Sequence, residues 1–527
     1  VAHGQQPKQD STGKIEIVFN GEIYNHREVQ EIVRKNGGKL SGDSEAEALA
    51  ELYKIKGDQF VNELRGMFAI AIWDSRDNSL LLARDRIGEK PLLYCETTAG
   101  NLVFASEMRA IFAFGVKSNV DESQIGNFLR LGYLNSPETI ISGVKTLPPA
   151  HLLKFKDGKA NIVRYWQLPE FKERQIDKAA AMKLVSDALE NAVVSQMSSE
   201  RPLGTYLSGG IDSTLVTAFA VRNSNTKINT FSIGFEDQAY DESNHARDVA
   251  NFLGTDHHEI IVKPDPELIL LRIGQVLDQP FGDSSIIPTF LLNEFASKEV
   301  IVALGGDGGD EVFGGYDRYL AAPMLQRLNP ILGITKYGLN IANTYLLKSN
   351  RKINRAGTQM KSIPSLAERY FSIQSLVQRS NLQSLLTEDI FTDVISTEFV
   401  DHFNQALSLT KLDQLIRSDL TYYLPGDILA KVDIATMANS LELRSPMLDV
   451  NVVEWGISLP RKYKIKGFET KHILKDVARS LVPAELIDRP KMGFGIPRAE
   501  WLRTGMKELV IDTLTDTTAT QRGWFNP

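Results

Sequence analysis

Residues 208–214, SGGIDST, are the segment of this sequence whose residue types and spacing are best suited to chemistry. Two glycines follow an apolar run at 203–207, and an apolar helical pattern at 215–222 comes directly after the segment. Glycines let backbone N–H groups turn towards a ligand without Cβ clashes, and a helix N-terminus adds partial positive charge. This loop is therefore predicted to cradle phosphate, and its three hydroxyl side chains add donors.

Asp212 is unsuited to a site that holds phosphate alone, because its carboxylate would repel the anion. It suits a site in which Mg²⁺ accompanies the phosphates, since that cation prefers carboxylate oxygens. The loop lacks the Gly-Lys-Ser/Thr ending of a Walker A motif, so it represents another class of phosphate loop. A Ser/Gly turn with a capping aspartate is the alternative for the motif taken alone.

A second glycine-rich loop, GGDGGDE at 305–311, follows the apolar run 300–304. Four glycines among three carboxylates cost chain entropy unless the backbone must approach a ligand. Ligands of an open parallel sheet bind beyond the carboxyl ends of its strands, so both loops are expected at one edge. Asp310 would then complete the Mg²⁺ site begun by Asp212. The alternative is a flexible acidic loop.

Strands and helices alternate around these two loops, which predicts a doubly wound parallel sheet. The chain is expected to be mostly helical beyond residue 320. The predicted strands are 203–207, 229–235, 257–262 and 300–304, and the predicted helices are 215–222 and 243–253.

The region 1–166 has short strand-like runs and helical patterns without regular alternation, which indicates an α+β layer fold. A charged segment with a proline, 167–180, is interpreted as a linker to a second domain at 181–527. The predicted strands of the first domain are 15–19, 67–73, 79–83 and 102–105, and its helices are 25–35 and 43–54.

The composition is that of an ordinary globular protein, with 527 residues, 43% apolar and 24% charged. The net charge of -7 gives no support for a nucleic-acid or anionic-membrane partner, and no apolar run is long enough to span a bilayer. The sequence has one cysteine, Cys95, so neither an intrachain disulfide nor a cysteine-based zinc site is possible. We expect a cytoplasmic location.

The motifs together resemble a known family. SGGIDS at 208–213 resembles the pyrophosphate loop of the ATP-pyrophosphatases. Within that family, GDGGDE at 306–311 followed by FGGY at 313–316 resembles the glutamine-hydrolysing asparagine synthetases. The resemblance covers essentially the whole chain; further matching segments are DQPFGDSS at 278–285, KVD at 431–433, MANSLELRSP at 437–446 and ETKH at 469–472.

This resemblance implies an N-terminal Ntn-type αββα sandwich and a C-terminal sheet of the adenine nucleotide α-hydrolase type with a helical C-terminal part. It implies ATP and Mg²⁺ as cofactors, with Asp212 and Asp310 as metal ligands. Ile233 would meet adenine with its backbone, and Gly305 stands where the family usually has a hydroxyl-bearing Ser. The implied ATP-binding residues are Tyr206, Leu207, Ser208, Gly209, Gly210, Asp212, Ser213, Ile233, Gly305 and Gly306.

Two catalytic roles in the synthetase half also come from the resemblance. Lys471 would stabilise the charge that builds on the α-phosphate, and a cation placed at such charge is a common catalytic device. Asp307 is the second residue expected to act there. Without the resemblance, Lys471 is an ordinary surface lysine in a charged stretch.

In the N-terminal half, the resemblance assigns Asn20 and Gly21 to the oxyanion hole of a glutaminase. Glu22 would help to bind glutamine, and Asp43 would pair with the α-ammonium of that substrate. Taken alone, an Asn-Gly pair after a strand indicates a hairpin or turn.

The family's glutaminase nucleophile is an N-terminal cysteine whose own α-amine serves as the base. Val1 cannot take this role, and the segment around Gln5 matches an internal segment of the family. We therefore expect the sequence to be truncated at both ends. Cys95 lies in a strand-like run and is predicted to be a buried, inert thiol. His257 and His258 would point to opposite faces of a strand and could not share one metal ion.

The resulting hypothesis is an asparagine synthetase with glutamine, aspartate and ATP as substrates and a homodimer as a candidate assembly. Glutamine-derived ammonia would amidate aspartate through β-aspartyl-AMP, and ATP would become AMP and pyrophosphate. Four alternatives stay open: an amidotransferase for another carboxylate in a polysaccharide or antibiotic pathway, a synthetase dependent on ammonia alone, a tRNA-modifying pyrophosphatase, and a non-catalytic interaction protein. The acidic net charge argues against the tRNA-modifying enzyme.

Overall fold

The computed structural model describes most of the chain. Val1 and residues 171–173 of the predicted linker lie outside the described residues. The described residues are 5–170, 174–236, 241–263, 265–327, 365–391, 399–400, 403, 409–488, 495–496 and 498–526.

The N-terminal region contains two antiparallel sheets. The larger has the strand order β1-β2-β3-β4-β8-β9 and the smaller has the order β6-β5-β7. The strands are β1 (Lys8–Gln9), β2 (Ile15–Ile23), β3 (Gly66–Asp74), β4 (Ser79–Arg84), β5 (Leu93–Glu96), β6 (Leu102–Ala105), β7 (Val144–Thr146), β8 (His151–Lys156) and β9 (Lys159–Arg164). The helices are α1 (His26–Lys35), α2 (Glu45–Lys56), α3 (Met108–Ala113) and α4 (Ile125–Leu131).

The two sheets stack between helices, in the order helix, sheet, sheet, helix. Alternate residues of the larger sheet, such as Ile17 and Ile72, pack with the apolar side chains of α1 and α2. The opposite face, which includes Leu82, packs on the smaller sheet, and that sheet in turn packs on α3 through Ile111. The strand period of two thus gives the larger sheet two apolar faces. The predicted αββα sandwich is confirmed.

The C-terminal region is built on a five-stranded parallel sheet with the strand order β12-β11-β10-β13-β14. Chain order reverses between β10 and β13, and such a switch point opens a crevice at the carboxyl ends of the strands. The strands are β10 (Leu203–Tyr206), β11 (Asn229–Phe235), β12 (Asp256–Val262), β13 (Val302–Leu304) and β14 (Glu442–Arg444).

Helices cover both faces of this sheet, as predicted for a doubly wound fold. The helices of the C-terminal region are α5 (Lys178–Gln196), α6 (Ile211–Arg222), α7 (Ser243–Leu253), α8 (Pro266–Val276), α9 (Ile286–Ala296), α10 (Gly309–Phe313), α11 (Arg318–Arg327), α12 (Leu366–Gln374), α13 (Arg379–Leu385), α14 (Lys411–Ser418), α15 (Leu429–Met437), α16 (Val450–Ser458), α17 (Arg461–Lys464), α18 (His472–Arg479), α19 (Ala484–Ile487), α20 (Arg498–Trp501), α21 (Lys507–Thr515) and α22 (Thr517–Gln521). A π-helical segment, Asp419–Ile428, joins α14 to α15. Helices α5, α6 and α18 share one core, and α9 packs against β11 from the other face.

Three local predictions need correction. The strand β2 runs through Asn20 and Gly21 to Ile23, so the turn interpretation of this pair is wrong. Helix α6 begins at Ile211 and therefore includes part of the phosphate loop in its first turn. The strand β14 lies in the region expected to be mostly helical and was not predicted, because three residues are too few to show an alternating apolar pattern.

No helix among the described residues combines the length and the apolar composition that crossing a membrane requires.

Candidate active sites

The first glycine-rich loop turns tightly between β10 and α6. The hydroxyl oxygens of Ser208 and Ser213 lie 3.1 Å apart, and Ser213 also donates to the carbonyl of Gly210 at 3.1 Å. Gly209 has φ of 70°, and a Cβ at this position would lie 2.9 Å from the backbone of His245. The conformation therefore requires glycine, and it places the loop at the N-terminus of α6 as a phosphate cradle would need.

The second glycine-rich loop packs directly against the first. A Cβ on Gly306 would lie 2.9 Å from both the Cβ of Asp212 and the backbone nitrogen of Ser213. A Cβ on Gly309 would overlap the carboxylate of Asp212. The glycines are therefore what allows the two loops to meet at the switch point between β10 and β13.

Lys471 lies where these loops converge. Its side chain is buried, and its ammonium pairs with Asp212 and, at 2.7 Å, with Asp310. A Cβ on Gly315 would overlap both the Asp310 carboxylate and the Lys471 side chain. Burial alone would lower the pKa of Lys471, but the two carboxylates outweigh burial and raise the pKa. The Lys471 side chain therefore stays protonated. Its burial excludes an ordinary surface lysine.

The strand β11 offers backbone groups to the same crevice. The Phe231 carbonyl accepts from the Leu207 N–H at 3.0 Å, which shows that Phe231 directs its backbone groups towards β10. Backbone direction repeats every second residue of a strand, so Ile233 faces the same side. Since β10 ends at Tyr206, the Ile233 backbone faces the space beyond that end. The Tyr206 hydroxyl itself donates to Asn293 of α9.

Asp307 is the first carboxylate of the second loop. Burial raises the pKa of Asp307, Lys431 opposes this, and the carboxylates of Asp212 and Asp310 add to it. Lys431 is buried and donates to Asp283 at 3.1 Å and to Ser285 at 2.8 Å. The Asp307 carboxyl therefore binds a proton more readily than an ordinary aspartate.

The predicted glutamine-site residues lie in and beside β2. The side-chain amide of Asn20 donates to Ser106 at 3.3 Å, and a Cβ on Gly21 would overlap the carbonyl of Met67 on β3. Glu22 pairs at 3.2 Å with Arg444 of the C-terminal sheet. Asn20 and Glu22 share one face of the strand because strand side chains alternate.

Asp43 is exposed and lies at the start of the helix that flanks this segment. Two residues later, Glu45 begins α2 and accepts a hydrogen bond from the Ile23 N–H at 3.3 Å. Burial and the neighbouring Glu22 raise the pKa of Glu45 to about 8. The N-terminus of α2 thus brings Asp43 to the end of β2 that carries Asn20, Gly21 and Glu22.

Comparison with known proteins follows this division of the chain. The glutamine amidotransferase domain family matches residues 1–166, and the asparagine synthase family matches residues 184–527. "Asparagine synthetase [glutamine-hydrolyzing] 1" of Bacillus subtilis strain 168 is 32% identical over 97% of this chain and 80% of its own length. The chain belongs to the glutamine-hydrolysing asparagine synthetase family.

Two further relatives show the breadth of this family. "Putative asparagine synthetase [glutamine-hydrolyzing]" of Mycobacterium tuberculosis strain H37Rv is 32% identical over 96% of this chain and 79% of its own length. "Amidase chyE" of Penicillium rubens is 27% identical over 96% of this chain and 81% of its own length. The predicted resemblance is confirmed, and with it the enzyme class, carbon–nitrogen ligases that take the amido group from glutamine.

The two halves of this asparagine synthetase family member are joined by ion pairs and close backbone contacts. Lys90 of the N-terminal half lies 3.1 Å from Asp433, and Arg65 lies 3.2 Å from Asp449. The Gly282 N–H donates to the carbonyl of Gly132 at 2.7 Å. The halves therefore have a fixed relative placement in this structure.

Lys431, Asp283 and Arg444 lie in segments that match the family, but sequence reasoning gave them no role. For Lys431 the available signal was a charged residue within the largely apolar stretch 428–436. The structure shows that Lys431 and Arg444 are buried and paired across distant segments, and such pairing cannot be read from local sequence.

Two other side-chain predictions have clear outcomes. Cys95 is buried in β5, as predicted, and burial raises the pKa of its thiol. His257 meets the hydroxyls of Thr230 and Ser232, whereas the His258 ring stacks on Phe231. The two histidines thus lie on opposite faces of β12.

Proposed function

We propose that this chain catalyses the amidation of aspartate to asparagine, with ATP converted to AMP and pyrophosphate. The observation that carries the proposal is the convergence of Lys471, Asp212 and Asp310 at the switch point of the parallel sheet. A buried cation beside two glycine-rich loops is suited to a triphosphate, whose charge it would balance.

In the first step, an oxygen of the aspartate β-carboxylate attacks the α-phosphorus of ATP. The bond to the pyrophosphate oxygen breaks, and β-aspartyl-AMP forms. Residues 208–214 would hold the departing pyrophosphate with backbone N–H groups and hydroxyls, and the Ile233 backbone would orient adenine. Lys471 would move from its carboxylate partners towards the α-phosphate as negative charge builds there.

In the second step, ammonia attacks the acyl carbon, and AMP leaves with the bonding electrons. The attacking nitrogen must lose a proton, and Asp307 is the proposed acceptor. Its raised pKa is suited to this role, because an effective base has a pKa nearer to the working pH than an ordinary aspartate has.

The donor set at the cradle fits a hard divalent cation. Asp212 and Asp310 both pair with the Lys471 ammonium, so their carboxylates converge on one point, and carboxylate oxygens are what Mg²⁺ prefers. We assign these two residues to hold Mg²⁺, which would neutralise charge on the pyrophosphate when bound.

We propose that residues 1–166 form the glutamine site, that 167–180 link the halves and that 181–527 form the synthetase domain. Asn20 and Gly21 would stabilise the oxyanion formed on the glutamine side chain. Glu22 and Asp43 would receive the α-ammonium of glutamine, and the carboxylates around Glu22 and Glu45 support a cationic partner there.

Pyrophosphate release tests the synthetase half, with ammonia as the nitrogen source so that glutaminase is not required. We expect release to need both ATP and aspartate, with one asparagine formed for each pyrophosphate. Glutamate, one methylene longer, is the control acid and should give no comparable stimulation. Release that ignores aspartate would show the acceptor assignment to be wrong.

A different carboxylate is the second candidate acceptor. The match to "Amidase chyE" over 96% of this chain shows that the same architecture occurs under another functional name. A panel of amino and hydroxy acids in the same assay separates the two candidates, since one acid alone should raise the rate of pyrophosphate release.

A further inference from the structure

Arg444 connects the two candidate sites through its side chain. The guanidinium is buried and is held from several directions by the C-terminal half. It donates from Nε to Glu442 at 2.7 Å, and from Nη1 to the carbonyls of Gln196 and Ser198 at 2.9 and 2.7 Å. Its remaining nitrogen, Nη2, lies 3.2 Å from Glu22 in the glutamine segment. One planar cation thus joins β2 to the parallel sheet.

The backbone of Arg444 holds the nucleotide loop. Arg444 ends β14 and is in register with Leu304, the last residue of β13. Its carbonyl accepts from the N–H of Gly305 at 2.9 Å, which is the first residue of the second glycine-rich loop. Any movement of the Arg444 backbone therefore acts directly on the residue where that loop begins.

The charges around Glu22 are not balanced in this structure. Glu22 and Glu442 both pair with Arg444, so two carboxylates share one guanidinium, and burial together with Glu22 raises the pKa of the neighbouring Glu45 to about 8. The Glu22 side chain keeps 27% of its surface exposed, whereas Arg444 keeps 3%. A cationic ligand can reach Glu22 from the open side and would compensate the surplus negative charge.

We propose that Arg444 is a positioning residue that couples occupation of the glutamine site to the geometry of the nucleotide loop, a role that rests on the proposed function. An α-ammonium at Glu22 competes with Arg444 for the same carboxylate. The guanidinium then depends more on Glu442 and on the two carbonyls, and β14 adjusts with it. Glutamine and ATP consequently change each other's affinity by the same factor, because such coupling is reciprocal.

The test is equilibrium binding of ATP to the full chain, measured by calorimetry without and with saturating glutamine, and the reverse titration. We expect each ligand to change the dissociation constant of the other by at least about fivefold, the lower end of ordinary coupling. Arg444→Lys should reduce that change to less than about twofold while both ligands still bind. Equal affinities with and without the second ligand in the unsubstituted chain would overturn the proposal without any variant.

Arg65→Lys is the matched control, since Arg65 also pairs across the two halves, at 3.2 Å from Asp449, but does not touch Glu22. It should retain the coupling. Loss of coupling in both variants would indicate general loosening of the interface and would overturn a specific role for Arg444. Glu442→Gln weakens the hold of β14 on the guanidinium and should reduce the coupling to less than about twofold, which tests the role if Arg444→Lys does not fold. Full coupling in that variant would overturn the proposal.

The outcome is separable from that of the proposed function. Coupled binding without aspartate-dependent pyrophosphate release would reject the acceptor and leave the role of Arg444 intact. Aspartate-dependent release without coupling would reject the role of Arg444 alone.

Discussion

The two candidate sites are built in opposite ways. The candidate nucleotide site lies at the carboxyl ends of β10 and β13, where loops leave the sheet and meet through glycines. The candidate glutamine site lies within β2, whose pairing with β3 continues past Asn20 and Gly21 to Ile23. Loops can place backbone donors freely around a ligand, whereas a paired strand offers side chains on one face and fixed backbone directions.

The sites also differ in how their charge is compensated. At the nucleotide site, Lys471 carries one positive charge between Asp212 and Asp310. At the glutamine site, Glu22 shares its cation with Glu442, and that cation belongs to the other half of the molecule. The counterion of the first site therefore comes from the same half of the molecule, whereas that of the second comes from the other half. Substitutions at the nucleotide site should abolish pyrophosphate release, and substitutions at the glutamine site should change glutamine binding and the stability of the fold.

Lys471→Met should have the largest effect. It removes the cation proposed to stabilise charge on the α-phosphate and leaves Asp212 and Asp310 without their shared partner, so ammonia-dependent pyrophosphate release should fall by about a thousandfold. Lys475→Met in α18, the helix that Lys471 caps, is the control, because Lys475 pairs with Glu469 outside the cradle. It should stay within about twofold of the original rate. A Lys471→Met enzyme with near-normal activity would contradict the assigned role.

Gly315→Ala should follow, with a loss of about a hundredfold in the same assay. The added methyl overlaps Asp310 and the Lys471 side chain, so the ion pair must shift, and a misplacement of about 1 Å costs this much. Gly274→Ala in α8 is the control, because nothing lies within 4 Å of the position that its methyl group would take. That change should stabilise the fold by about 0.5–1 kcal/mol and leave activity unchanged.

The placement of the two glycine-rich loops at one edge of the sheet could be predicted from sequence because their signals are local. Glycines, hydroxyls and carboxylates stand within seven residues of one another, and the flanking strand and helix patterns fix which edge of the sheet they occupy. Arg444 and Lys431 could not be placed, because their partners lie in distant segments: Glu22 for Arg444 and Asp283 for Lys431. Their function depends on tertiary packing that no short window of sequence contains.

Gly21→Ala should have a different kind of effect. The added methyl overlaps the Met67 carbonyl of the neighbouring strand, so the β2–β3 pairing must open and the free energy of unfolding should fall by about 3 kcal/mol. Glutamine binding should be lost in calorimetry, whereas ammonia-dependent synthesis should persist at temperatures below the transition. Gly42→Ala, with open space around it, should change neither quantity. Equal loss of both activities would contradict the separation of the two sites.

Asp427→Asn should produce a smaller, pH-dependent gain in stability. Burial and Asp283 raise the pKa of Asp427 from its ordinary 3.8 to about 7, against the opposing effects of Lys431, Tyr423 and Arg318. Between pH 3.8 and 7 the folded state binds the proton more tightly, so this group's contribution lowers stability as pH rises. The variant lacks that loss, so its free energy of unfolding should exceed that of the original protein by on the order of 2 kcal/mol at pH 7.5 and by little at pH 4.

Urea denaturation across this pH range measures the gain, and the exposed Asp512 supplies the control Asp512→Asn. The control should follow the original protein at every pH. A constant difference between Asp427→Asn and the original protein would mean that Asp427 does not titrate in this window.

A helix or strand could be predicted where its own residues show the apolar spacing of that element. Strand β11 and helix α7 have the predicted bounds, since both have clear turn signals on each side. Strand β14 was missed because its three residues become a strand only by pairing with β13. The Asn20-Gly21 pair gave the opposite error, a predicted turn where the structure has a strand. Its glycine allows the close approach to Met67.

Cys95→Ala should have the smallest effect. The thiol is buried in β5, and burial together with Glu96 raises its pKa, so little reactive thiolate exists at neutral pH. The substitution should cost about 1 kcal/mol of stability and leave ammonia-dependent synthesis and glutamine binding unchanged. A thiol reagent should label the original protein slowly when folded and rapidly in denaturant. Rapid labelling of the folded protein, with loss of glutamine binding, would instead place this thiol within the glutamine site.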